Sequence, residues 1–189
     1  MTHQPTSEGL GPSPQISPQT DGPSPLGPDR VEGFDAFLAA VEDLAARVYA
    51  RQVTPAQAIQ RLGEDYAFIR LRDLAQPLRF LRQMAGHPPI RLGVIGFRHD
   101  LVDDQNPARH YTAFLVLGYW LPFWAAWLSV WLWEIAGFMR YGGKWSKADL
   151  ESGMVGIRHG RLVRRYGMTV LPGLMAAELA EPRKRGSGQ

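Results

Sequence analysis

From Tyr111 to Trp133 the chain runs 23 residues without a charged side chain. Nothing else in it restricts the fold so strongly. A charge-free run of that length is long enough to cross the hydrocarbon layer of a bilayer as one helix. Outside a membrane it must be covered by other parts of the protein. Five of the six tryptophans fall inside it: Trp120, Trp124, Trp127, Trp131 and Trp133. Polar residues stand at both ends, with Asp103, Asp104, Asn106, Arg109 and His110 before it and Glu134 after it. Pro122 sits near its middle.

Two geometries follow. As one continuous helix, Trp120, Trp124, Trp127 and Trp131 share a face, because they recur at intervals of four, three and four. His110 and Glu134 are then roughly 36 Å apart at 1.5 Å rise per residue, too far to cooperate. If the helix instead breaks at Tyr119 to Pro122, proline is well placed as the first residue of a second helix. His110 lies twelve residues before Pro122 and Glu134 twelve after it, so a folded-back hairpin brings them together at its open end.

A later helix, from Ser146 to about Arg165, fits the hairpin geometry. Ser146 is a capping residue with Asp149 three positions on, and Gly167 is a stop signal. Asp149, Gly153, Gly156 and Gly160 occupy one narrow face of that helix, and Arg158, Arg161 and Arg165 lie opposite. A glycine face admits a bulky neighbour closely, and the tryptophan stripe is the expected neighbour. Asp149 then joins the open end of the hairpin.

The expected candidate site is therefore Asp103, Asp104, Asn106, Arg109, His110, Glu134 and Asp149. Carboxylates beside an imidazole are the ingredients of general acid–base hydrolysis. His110 and Glu134 take the acid–base roles, Arg109 holds an anionic group, Asp149 orients His110 or assists a metal, and Asp104 is the remaining catalytic candidate. Glu134, among tryptophans, is the carboxyl most exposed to desolvation. The same residues also have purely structural uses: Asp103 and Asp104 at a helix N-terminus, Asp149 as a cap, and His110 with Glu134 as a structural pair. No metal-ligand spacing, phosphate loop, nucleophile elbow or dinucleotide fingerprint occurs. His99-Asp100 and His87 read as loop residues.

Charge is uneven. From Arg140 onward there are ten Lys/Arg against four Asp/Glu, while the preceding part has eleven against fourteen. Arg158, Arg161 and Arg165, with Arg164, form a basic face suited to anionic lipid or simply to solvent. Nucleic acid is a weaker expectation, since no nucleic-acid motif accompanies the charge. Arg140, Lys144 and Lys147 also follow the apolar run, as basic residues do on the cytoplasmic side of membrane segments.

Residues 1–30 hold seven of the fifteen prolines among Gly, Ser, Thr and Gln. They read as a disordered leader, open to a protein partner. No secretory signal pattern is visible at Met1, and a cytoplasmic or cytoplasmic-membrane setting is expected. Cysteine is absent, which excludes disulfides and thiolate chemistry.

Between these parts, Phe34, Phe37, Leu38, Val41, Leu44, Ala45 and Val48 form a helical stripe. Thr54-Pro55 starts a second helix with Ile59, Leu62, Tyr66 and Ile69 on its apolar side, and Gly63 is a candidate break. A short helix is expected over 78–84. Ile90 to Phe97 reads as a short strand or an extended connector, its two glycines weakening the strand. Asn106-Pro107 is a strong helix start, and Pro172 to Ala180 suggests a last short helix. The expected fold is mainly α, a small helical bundle spanning 31–180. In it a Trp-rich hairpin (111–139) packs on a Gly-faced helix (147–165), and a polar basic tail (181–189) follows. Two functional classes remain open: a hydrolase-type domain, and a non-catalytic membrane-associated scaffold anchored by the Trp-rich segment.

Overall fold

The computed structural model describes residues 32–70, 88–102, 105–140 and 146–182, with the backbone alone at 134 and 136–140. The Pro-rich leader, the expected helix at 78–84, His87, Asp103, Asp104 and most of the basic tail lie outside the described residues. Among those described there are six α-helices and no strand. They are α1 (Gly33–Tyr49), α2 (Pro55–Leu62), α3 (Pro107–Trp120), α4 (Phe123–Arg140), α5 (Lys147–Tyr166) and α6 (Leu171–Glu178).

The main core is built by α1, α2, α3 and α6. Phe37 and Val41 of α1 are fully buried, with Phe34, Leu44 and Ala45 nearly so. Phe37 meets the rings of Tyr66, Phe97 and Tyr111 at centroid separations of 4.8, 6.3 and 6.0 Å. Such aromatic contacts add to the stabilisation from area burial alone.

Helix α2 begins as the sequence indicates. Thr54 Oγ1 accepts from the Gln57 N–H, and the Gln57 side chain accepts from the Thr54 N–H. Two donors that have no partner within the helix are thereby satisfied. Gly63 does not break the helical path. The chain winds on through a wider turn to Ala67 and stops at Phe68, whose backbone is left-handed at φ 60°. The glycine instead admits Val116 of α3, whose Cγ2 would lie 2.9 Å from an added Cβ.

Ile90 to Phe97 is a connector, not a strand; Gly93 and Gly96 both adopt φ 76° and curl it. Its carbonyls do the work of a helix cap. The first N–H groups of α1, Gly33 and Phe34, donate to Leu92 O and Ile95 O, each at 2.8 Å. Glu32, at the capping position, makes no side-chain cap. At its other end the connector joins the exit of α6. Arg98 N donates to Leu179 O at 2.8 Å, and Glu181 N donates to Gly96 O at 2.9 Å.

The Tyr111–Trp133 run is two helices. The break falls at Leu121 and Pro122, and Pro122 O accepts the first turn of α4. The two arms fold back, since the ring of His110 on α3 lies 6.1 Å from that of Trp133 on α4. Asn106 occupies the capping position of α3, but its side chain makes no cap bond there. No helix among the described residues is long and apolar enough to cross a membrane.

Helix α5 starts on Ser146, whose Oγ accepts from Asp149 N at 3.0 Å, and ends at Gly167 with φ 93°. Its glycine face is buried, but the expected partner is corrected. Gly153, Gly156 and Gly160 face α3, not the tryptophan stripe. A Cβ on Gly156 would lie 2.6 Å from Tyr111 O, and one on Gly118 of α3 would lie 2.3 Å from Ile157 O. The two backbones themselves are in contact, leaving no room for an indole between them. Helix α4 rests on α3 and α5 through its smaller side chains, Ala126 and Val130, with Trp133 at the edge of the same cluster. Trp124, Trp127, Leu128, Leu132 and Ile135 are exposed.

Candidate functional site

At the open end of the hairpin the structure brings together His110 and Asp149. His110 Nδ1 lies 3.7 Å from Asp149 Oδ1, and both side chains are largely covered, at 14% and 18% exposure. Trp133 covers the imidazole edge-on. Each position follows from local sequence. Pro107 at the first turn of α3 sets His110 one turn in, and the Ser146 cap sets Asp149 in the first turn of α5.

Arg109 precedes His110 on α3 and is half-buried. The backbone of Glu134 follows Trp133 on α4, which carries that position to the same end; its side chain is outside the described residues. Asp103 and Asp104 are also outside them. At 3.7 Å, His110 and Asp149 form an ion pair when the imidazole is protonated, but they stand beyond hydrogen-bond reach. Among the described residues, no group of three His, Asp or Glu side chains is placed to hold a metal ion. His99, read as a solvated turn residue, is exposed and pairs with Glu181 at 3.1 Å.

A second polar group was not anticipated. His159 on α5 is fully buried, and its Nδ1 lies 2.9 Å from the hydroxyl of Tyr111, itself 1% exposed. On the other side, Nε2 stands 3.4 Å from Glu178 of α6, outside hydrogen-bond geometry. Arg158 forms a salt bridge with the same carboxylate. Burial pushes the Tyr111 phenol well above its ordinary range, so it stays protonated and shares a hydrogen bond with Nδ1 whose direction follows the imidazole tautomer. Burial, with the Arg158 charge adding to it, lowers the His159 pKa to about 4. The Glu178 charge is already engaged by Arg158 and offsets little of this. His159 is thus a neutral link between α3 and α5, with Nε2 facing Glu178 of α6. Its burial was legible, since it shares a helix side with Ser152, Gly156 and Val163, all buried. Its partners were not.

The third feature is the outer face of α4 and the hairpin tip. Trp124 is 69% exposed and Leu132 57%, and Trp120, Phe123, Trp127, Leu128 and Ile135 are also exposed. Trp127 and Trp131 meet at a tilt of 60°, with ring centroids 5.7 Å apart. The arginines of α5 do not form one uniform face. Arg158 is held by Glu178, and Arg165 lies over the ring of its neighbour Tyr166 at 5.3 Å. Arg161 sits 4.9 Å over the ring of Phe123, and Arg164 Nη1 is 3.5 Å from Tyr119 O. Both therefore reach the turn that joins α3 to α4.

No protein-family model, curated protein or solved structure matches the chain.

Proposed function

We propose that this domain binds a membrane surface, lying on it through the outer face of α4. The supporting observation is the continuous row of exposed large apolar side chains from Trp120 to Ile135. Soluble proteins rarely leave so extended an apolar surface uncovered without using it. Tryptophan favours the bilayer interface, where its ring is half in hydrocarbon and its N–H remains hydrated. A helix lying in the interface buries one face and needs no spanning length.

The test is co-sedimentation of the full chain with phospholipid vesicles, read together with tryptophan emission. A blue shift on vesicle addition is expected, and a Trp124→Gln, Leu128→Gln, Leu132→Gln variant should bind at least about tenfold more weakly, since each such side chain is worth over 1 kcal/mol when buried. Far-ultraviolet circular dichroism checks that the variant is folded. Absence of binding by the parent chain refutes the proposal, as does a stable dimer in sedimentation equilibrium that vesicles do not dissociate.

A second reading, hydrolysis with acid–base chemistry, has its support in the His110–Asp149 pair. It requires a turnover against ester, phosphodiester or glycan substrates that His110→Ala and Asp149→Asn both remove from folded protein. Equal turnover in the parent and both variants would sink it.

A further inference from the structure

We infer that Arg161 and Arg164 form a phosphate-binding collar at the hairpin tip, so that the outer face of α4 lies on anionic phospholipid with its tip end anchored at the phosphates. This rests on the membrane reading above and adds to it a lipid class and an orientation. The α3–α4 turn presents Trp120 at 43%, Phe123 at 46% and Trp124 at 69% exposure. It is the most aromatic part of the exposed apolar surface. Two guanidinium groups from α5 flank it, one fixed to each arm. Arg164 donates to the last turn of α3 through Tyr119 O, and Arg161 lies over the ring of Phe123 at the start of α4.

These contacts leave the arginines available to a ligand. A guanidinium stacked on a ring keeps its edge N–H groups directed outward, in the fork that matches a phosphate. Arg164 uses one of its five donors on Tyr119. Among the described residues neither arginine has a carboxylate in ion-pair range, whereas Arg158, on the same side of α5, is neutralised by Glu178. Being held by Tyr119 and Phe123, both side chains have already lost part of the rotamer freedom that binding would otherwise remove.

Lipid is favoured over a second copy of the chain by charge. A two-fold pairing of this tip would set the arginines of one copy against those of the other, a like-charge cost that a phosphate-bearing surface reverses. Arginines set beside exposed aromatic rings also suit a bilayer interface. Rings reach the acyl boundary while the guanidinium groups stay at phosphate level.

The experiment compares vesicles of phosphatidylcholine alone with vesicles containing about one-third phosphatidylglycerol. Binding of the full chain to the anionic vesicles should fall about thirtyfold in Arg161→Gln, Arg164→Gln, from two surface charges of about 1 kcal/mol each. An equal charge loss placed elsewhere, Arg47→Gln with Arg61→Gln, should leave binding within about twofold of the parent by the screening of distant charges. Should the tip variant not fold, the salt dependence of the parent gives the same answer: binding to anionic vesicles weakens steeply with ionic strength. Equal binding of the parent to both vesicle types overturns the collar and leaves the apolar-face reading intact. So does a tip variant that binds as the parent does. No binding to either vesicle type overturns both. Tight binding to a single-stranded or duplex oligonucleotide, with none to vesicles, assigns the collar to nucleic acid and overturns the inference.

Discussion

Replacing Gly160 by alanine tests the seam between α3 and α5 directly. An added Cβ would lie 2.2 Å from Leu115 O, 2.6 Å from Tyr119 N and 2.9 Å from Gly118 C. All three are backbone atoms of α3, so no side chain can rotate out of the way. Ordinary carbon–oxygen contact is about 3.3–3.6 Å, so the helices must part locally by roughly 1 Å. That displacement is shared with Gly118 and Gly156, whose own approaches are equally close. Overpacking of a tight site costs about 1–3 kcal/mol and sometimes more, and a backbone contact belongs at the upper end. Against this, alanine gains about 1 kcal/mol of helix propensity over glycine. The net expectation is a loss of about 2 kcal/mol, or a fall in Tm of about 4–8 °C for a domain of this size. Urea and thermal unfolding followed by circular dichroism measure it. Gly173→Ala on α6 is the internal control, because an added Cβ there meets nothing within 4 Å. The same chemical change should raise stability there by up to about 1 kcal/mol. A Gly160→Ala protein as stable as its parent would refute the backbone-to-backbone seam.

The buried histidine makes two further predictions. His159 titrates at about 4 in the folded chain and near 6.5 when unfolded, so between those values the unfolded state binds the additional proton. Stability should be complete above pH 6.5 and fall by roughly 3 kcal/mol as the pH drops to 4. Urea unfolding of His159→Gln should lack most of that decline, and an unchanged acid limb would disprove the assignment. Tyr111→Phe removes the partner of Nδ1 and leaves a buried ring nitrogen unpaired, at a cost of about 1–3 kcal/mol. A phenylalanine variant as stable as the parent at neutral pH would show that the hydroxyl contributes nothing.

Helix ends were the most legible part of this chain. Thr54 with Gln57, Ser146, Pro122 and Gly167 each act locally, and local chemistry can be read without knowing what packs where. The apolar stripe of α1 was readable for a related reason, since charged residues on its other side mark the outward direction. In α4 that contrast is missing. Apolar residues run all round the described part of the helix, so period alone does not say whether Trp124 and Trp127 or Ala126 and Val130 face the bundle. The glycines of α5 announced a close approach but not its partner, and Gly118 of α3 is their complement, set against the backbone of Ile157. Within the candidate site, the meeting of His110 and Asp149 follows from equal hairpin arms and one cap. The Tyr111–His159 bond, with Glu178 beside it, depends on three helices whose mutual rotation no spacing specifies.

The connector from Leu92 to Arg98 has a consequence for how the domain comes apart. It supplies the carbonyls that close the start of α1, and it bonds the residues leaving α6. The beginning and the end of the helical domain are thus held by a single latch drawn from the middle of the chain. Loosening it releases both at once. The amides of Gly33, Phe34, Arg98 and Glu181 should then exchange with deuterium as one group, despite lying up to 148 positions apart (181 − 33). Separate exchange rates for the two ends would mean that each is fastened on its own.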